Sequence, residues 1–319
     1  MLRLGLKTTA ESKPSSIDYS LGCSSGSLAL DQVLGTGGWS KSRLIELSGT
    51  HGSGKTTLAL HSIATCQLSG GVAAFLDSEF SLHPPYAQSV GVDISELIYS
   101  QPPTLEQAFT TASELISSRA IDLLVFDSIT ALMPQTQRGS IFEDSRAYAL
   151  EHSNLLAKGL AELRLLLQET GSTVIFTNQL RQVDYGNVGS ITSSTGGKPV
   201  KNMMATRVRL TKGDSIIKNN QQIGHYCQMS VDKHKDGRSG GVVSIPMIHE
   251  RGFALSYETL SAGLNQGVVK QLKNGFYADN GRFLGATGYQ AKETLDKWPN
   301  LRLHINKELL NQFCKGSSI

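Results

Sequence analysis

Three short runs of this chain, "LIEL", "AAFL" and "LLVF", are almost unbroken Leu, Ile, Val, Phe and Ala, and each is followed within a few residues by helical spacing. A strand without polar alternation must be covered on both faces. Strands of that kind separated by helices build a parallel sheet wrapped by crossovers. Strands are expected at "RLIELSG", "GVAAFLDSE", "IDLLVFDS" and "STVIFTNQ"; helices are expected at "GKTTLALHSIATCQLSG", "TLEQAFTTASELISSRA" and "AYALEHSNLLAKGLAELRLLLQETG". The fold class is therefore α/β, with a mostly parallel central sheet flanked by helices. "GSLALDQVLG" reads as a short amphipathic helix ahead of the first strand.

After Gln179 the polar stretch "RQVDYGNVGSITSSTGGK" reads as a long loop, and such loops in compact domains are usually functional or disordered. Strand-like runs "ATRVRLTKGD", "HYCQMSVDKHK" and "GGVVSIPMIHE" follow it. Residues 1–16 read as a flexible arm, 17–252 as the main core and 253–319 as a small C-terminal α/β domain. The 319 residues allow that division, and the net charge of +3 neither requires nor excludes a nucleic-acid partner. Cys23, Cys66, Cys227 and Cys314 are far apart and form no C-x-x-C pair, which suits free thiols in a reducing compartment. No stretch resembles a signal peptide or a membrane span, so a cytoplasmic location without membrane contact is expected.

The stretch "GTHGSGKTTL" matches the phosphate-loop pattern Gly49-x-x-x-x-Gly54-Lys55-Thr56, with a strand before it and a helix after it. Backbone N–H groups at a helix start suit phosphate, and Gly52 and Gly54 allow close approach. The expected nucleotide contacts are Gly49, Thr50, His51, Gly52, Ser53, Gly54, Lys55, Thr56 and Thr57. Lys55 is expected on the β- and γ-phosphates and the Thr56 hydroxyl on Mg²⁺. The strand "LLVF" ends in Asp127, where such sheets bind ligands, and this carboxylate suits the same metal. Asp77 and Glu79 end another strand and share a face if it continues through both. Glu79, the outer of the two, is the candidate for orienting an attacking water, and Asp77 reads as structural. Asn178 and Gln179 end "VIFTNQ" at the same edge, directly before the long loop. An amide there can touch a γ-phosphate and make the loop's order depend on the nucleotide.

These motifs, with "FLDSEFSLHPPYAQSVGVDISELIYSQPPTLEQA", "LLVFDSITALMP", "FTNQLR" and "SSTGGKPVK", resemble the RecA family of DNA strand-exchange proteins from about Ile17 onward. The resemblance implies ATP and Mg²⁺ as cofactors, with Lys55, Thr56 and Asp127 holding them and Glu79 activating water. It implies that Gln179 senses the γ-phosphate and that Tyr86 stacks on adenine. Lys233 and Lys235 match lysines that cross a subunit interface to a neighbour's ATP. A first DNA loop would span about 134–146 with Arg138, Gly139 and Arg146, and a second about 181–201 with Arg181, Gly196, Gly197 and Lys198. Basic residues with glycine suit backbone approach to a single strand. The chain departs from the family pattern at His83, where an aspartate is usual, and at Asp184, where an apolar residue is common. Its arm is short and its tail lacks an acidic run.

The implied function is an ATP-dependent recombinase that forms a filament on single-stranded DNA and pairs it with a homologous duplex. A ring-forming helicase or branch-migration motor shares the core and is the alternative. A non-hydrolysing scaffold is the third reading, and the complete set Lys55, Thr56, Glu79, Asp127 and Gln179 argues against it.

Overall fold

The structure, a computed structural model, describes residues 22–129, 131–137, 145–184, 190–194 and 197–316. The expected arm and residues Arg138, Gly139 and Gly196 lie outside the described residues.

The chain enters through strand β1 (Gly22–Cys23), helix α1 (Leu28–Leu34) and strand β2 (Trp39–Ser40), which pairs antiparallel with β1. The expected helix at 26–35 is present because both ends are capped. The Ser27 hydroxyl accepts from the Leu30 N–H, and Gly35 closes the helix at a left-handed φ of +77°.

The βα alternation then unfolds as β3 (Leu44–Gly49), α2 (Lys55–Leu68), β4 (Ala73–Asp77), α3 (Pro84–Val90), β5 (Ile98–Ser100), α4 (Leu105–Ser117), β6 (Leu123–Asp127), α5 (Ser145–Thr170) and β7 (Thr173–Asp184). β8 (Ser190–Ser194), α6 (Gly197–Met203), β9 (Thr206–Lys218), β10 (Gln221–His234), β11 (Val242–Ile248) and β12 (Gly252–Phe253) follow. In the main sheet β5, β4, β6, β7, β3 and β9 lie side by side and all parallel. β10, β11 and β12 extend the β9 edge antiparallel. The parallel strands alternate their side chains between two cores. Leu47, Phe75, Val125 and Ile175 meet α2 residues such as Leu58 and Ile63 on one face. Leu76, Phe126 and Phe176 meet Phe109 of α4 and Leu156, Leu160 and Leu163 of α5 on the other.

β7 does not end at Gln179 as the sequence suggests. It continues to Asp184, because β8 returns alongside it with Leu180 opposite Ser194 and Asp184 opposite Ser190. Half of the expected second loop is thus a polar hairpin, and α6 forms its last part. The expected continuation of β4 through Glu79 is also absent: the strand stops at Asp77, and Phe80 turns the chain at φ +54°.

A third core belongs to the C-terminal segment, α7 (Leu255–Gln266), β13 (Val269–Leu272), β14 (Gly275–Ala278), β15 (Phe283–Gly285), α8 (Gly288–Lys297) and α9 (Pro299–Gly316). Leu260, Val269, Leu284, Leu295 and Ile305 fill it, and Leu28 of α1 packs with them.

Candidate nucleotide-binding site

Register brings the functional residues to one edge. Asp77 of β4 lies opposite Asp127 of β6, and Gly49 of β3 lies opposite Gln179 of β7. The phosphate loop leaves this edge and becomes α2 at Lys55. Gly52 (φ +71°) has open space where a side chain would stand. Gly54 (φ +99°) has none: a Cβ there would lie 3.0 Å from the Met247 sulfur and 3.1 Å from the Phe253 ring. Ser53 is buried beneath the loop, and Thr50 and His51 are exposed on it.

Lys55 folds back and donates to the carbonyls of Gly49 (3.1 Å) and Thr50 (2.8 Å). Burial pushes its pKa down, while Asp127 and Glu79 pull it back up. The Thr56 hydroxyl donates to Asp127 at 2.7 Å, and Thr177 donates to the other carboxylate oxygen. Burial raises the Asp127 pKa, and those two hydroxyls oppose the rise. Glu79 accepts from the Ser128 hydroxyl and from the Gln179 amide at 3.2 Å. Ser78 fixes the turn that carries Glu79, its N–H donating to the Asp127 carbonyl at 2.8 Å and its hydroxyl to Ser128 O at 2.7 Å. Asp77 accepts from the N–H groups of Ser81 and Leu82 and from the Tyr99 hydroxyl, each at 3.0 Å. Those bonds hold the chain just after β4.

Tyr86 of α3 meets Thr57 through a 2.7 Å hydroxyl pair. Burial raises the Tyr86 pKa, so the hydroxyl stays protonated at neutral pH. Lys233 lies near the end of β10, and Lys235 is exposed just beyond it. Arg146, Arg181, Gly197 and Lys198 are placed only by their backbone, at the start of α5, in β7 and in α6.

Two buried groups escaped the sequence reading. Glu46 of β3 is fully buried and accepts from Asn178 at 2.7 Å and from Arg207 of β9. A glutamate in an otherwise apolar strand was the available signal. His234 is buried with both ring nitrogens engaged, on Thr36 at 3.1 Å and Thr206 at 2.7 Å. Because Thr36 donates to the Gly38 carbonyl, it must accept from His234 Nε2–H, leaving Nδ1 to accept from Thr206. Burial lowers the His234 pKa and keeps this tautomer neutral.

A model of the RecA N-terminal domain matches residues 8–254. The chain belongs to the RecA family. "Protein RecA" of Salinispora tropica is 33% identical over 292 residues, covering 92% of this chain and 83% of that protein. "Protein RecA" of Rubrobacter xylanophilus is 34% identical, covering 92% and 84%. "Protein RecA" of Mycoplasma mycoides is 35% identical, covering 92% and 83%. The match takes in the phosphate loop, Glu79, Asp127, Gln179, Lys233 and Lys235, and stops where α7 begins.

The loop fits a nucleotide triphosphate and Mg²⁺ by its chemistry: an open glycine turn, a lysine on its carbonyls and a paired threonine and aspartate. Among the described residues no three His, Cys, Asp or Glu gather as a metal site. A divalent ion here needs phosphate oxygens to complete its shell. No helix among the described residues is long and apolar enough to cross a membrane.

Proposed function

We propose that this RecA-family chain is an ATP-driven DNA recombinase of the cytoplasm. It assembles as a helical filament on single-stranded DNA, pairs that strand with a homologous duplex and exchanges strands in recombination and repair. Residues 17–252 serve as the ATPase core and 253–319 as an accessory domain, with ATP between subunits.

The observation that carries this reading is the Gln179–Glu79 bond of 3.2 Å at the root of the β7–β8 hairpin. The residue best placed to act on water is bonded to the amide that begins the expected DNA segment. A γ-phosphate entering this edge competes for the Gln179 amide and so reaches the hairpin directly. Lys55 turns from the loop carbonyls to the β- and γ-phosphates. Thr56 and Asp127 would hold Mg²⁺, which would neutralise phosphate charge. Glu79 accepts a proton from the attacking water while Ser128 orients its carboxylate. The bond from water oxygen to γ-phosphorus forms as the bond to the β–γ bridging oxygen breaks, and ADP leaves with those electrons. Lys233 and Lys235 of the neighbouring copy stabilise the charge that develops.

The DNA half of the reading rests on Arg138, Arg146, Arg181 and Lys198, with glycines 139, 196 and 197 allowing close backbone approach. Affinity for a single-stranded oligonucleotide should therefore fall steeply with salt, and Arg181→Ala or Lys198→Ala should flatten that slope by about one phosphate contact each. A salt-independent affinity would remove the basic-loop model.

A further inference from the structure

Lys233 has a second set of partners inside its own chain. Its ammonium donates to the carbonyls of Lys201 (3.2 Å) and Asn202 (3.4 Å) in the last turn of α6. Those carbonyls have no partner further along the helix, and the C-terminal end of a helix carries partial negative charge. α6 is also where the expected DNA segment 181–201 ends. One side chain therefore joins the exit of that segment to the strand that carries the interface lysines.

The surroundings hold Lys233 on this task. Its neighbour His234 is buried, fixed through Thr36, Thr206 and a 2.8 Å bond from its N–H to Ser239. Next along the chain, the Lys235 N–H donates to the Ala205 carbonyl at 3.0 Å, and the Ala205 N–H donates to Leu44 at 2.9 Å. The backbone just after Lys233 is thus pinned to the segment leaving α6. Arg207 stands opposite Lys233 in the β9–β10 register and is itself neutralised by Glu46. Burial, Lys235 and Arg207 disfavour the Lys233 charge and Glu46 partly offsets them, while the two carbonyls of α6 accept directly from the ammonium. Lys235 is exposed, and among the described residues its side chain makes no bond to α6.

We propose that Lys233 exchanges between two acceptors, the carboxyl end of α6 in its own chain and the phosphate at the subunit interface. Nucleotide held by one subunit then uncaps α6 in the next. The inference rests on the reading that Lys233 faces a neighbour's ATP, and it gives Lys233 a role that Lys235 does not share. A phosphate carries full charges where the helix end carries a partial one, so it takes the lysine whenever both are within reach.

The test is amide hydrogen exchange in residues 201–204 of the full chain, compared among wild type, Lys233→Met and Lys235→Met. Without nucleotide or DNA, Lys233→Met should speed exchange there about two- to fivefold, the worth of a cation at a helix C-terminus. Lys235→Met should leave it unchanged. Isotopically labelled protomers are then diluted into excess wild type assembled on single-stranded DNA with a non-hydrolysable ATP analogue. There the labelled wild type and labelled Lys233→Met should exchange alike, because the cap has already been surrendered. A difference that persists in the assembly, or equal exchange in the free chain, overturns the proposal. Normal DNA-dependent ATP turnover in both lysine variants removes the interface reading, and the exchange with it, while leaving the cap as a purely structural contact.

Discussion

Replacing Glu258 by glutamine should change how the stability of this protein depends on pH, and the structure sets both sign and size. Glu258 of α7 is buried against the start of α1, accepting from the Ser27 hydroxyl at 3.1 Å and the Ala29 N–H at 3.3 Å. Asp31 of the same helix is nearby, buried and bonded to Ser24 and Ser25, and the Arg302 guanidinium of α9 also acts on Glu258. Burial pushes the Glu258 carboxyl from 4.5 to about 7, and burial also raises Asp31 to about 7. The folded state then keeps a proton that the unfolded chain releases near pH 4.5. The resulting stabilisation is complete below that pH and is lost as pH rises to about 7. At about 1.4 kcal/mol per pKa unit, the loss attached to Glu258 is about 3 kcal/mol. Glutamine keeps an acceptor for Ser27 and Ala29 and never ionises. Urea unfolding followed by tryptophan fluorescence at pH 5 and pH 8 should show wild type losing about 2.5 kcal/mol more than Glu258→Gln across that interval, since part of the effect is already lost at pH 5. Parallel losses in the two proteins would show that this carboxyl titrates at its ordinary value and would refute the reasoning.

Two other substitutions probe the sheet edge. Gly54→Ala forces a side chain into a left-handed backbone against Met247 and Phe253; it should cost about 1–2 kcal/mol in thermal melts and weaken nucleotide binding in titration calorimetry. Arg207→Met leaves the buried Glu46 carboxylate with the Asn178 amide and no bonded cation, and should destabilise by about 3–5 kcal/mol in denaturant. Adding Glu46→Gln should recover much of that loss, because the two residues act as a pair.

The sheet was legible because its parallel strands are buried on both faces, so "LLVF" and "VIF" carry no polar interruption. The candidate nucleotide edge was legible because Gly49 and Asp127 end their strands and Gln179 stands opposite Gly49, inside the longer β7. The β7–β8 hairpin was not, since apart from Val183 and Ile191 its residues Arg181 to Asp184 and Ser190 to Ser194 are polar, and their pairing is made by partner strand rather than by composition. Glu79 was a candidate by residue type, yet its position comes from Ser78 and the turn at Phe80, which no periodicity encodes. The anchoring of Lys233 and Lys235 by His234 depends on contacts with Thr36 and Thr206 from distant parts of the chain. Spacing along a strand gives no sign of such contacts.

The central claim is that the phosphate loop, Glu79 and the DNA segments act as one device. Steady-state ATP turnover with and without long single-stranded DNA, for wild type and Glu79→Gln, tests it most directly. The account predicts strong stimulation by DNA in wild type, with Glu79→Gln still binding ATP and DNA but turning over at least about a hundredfold more slowly. Turnover indifferent to DNA, or undiminished in Glu79→Gln, would contradict it.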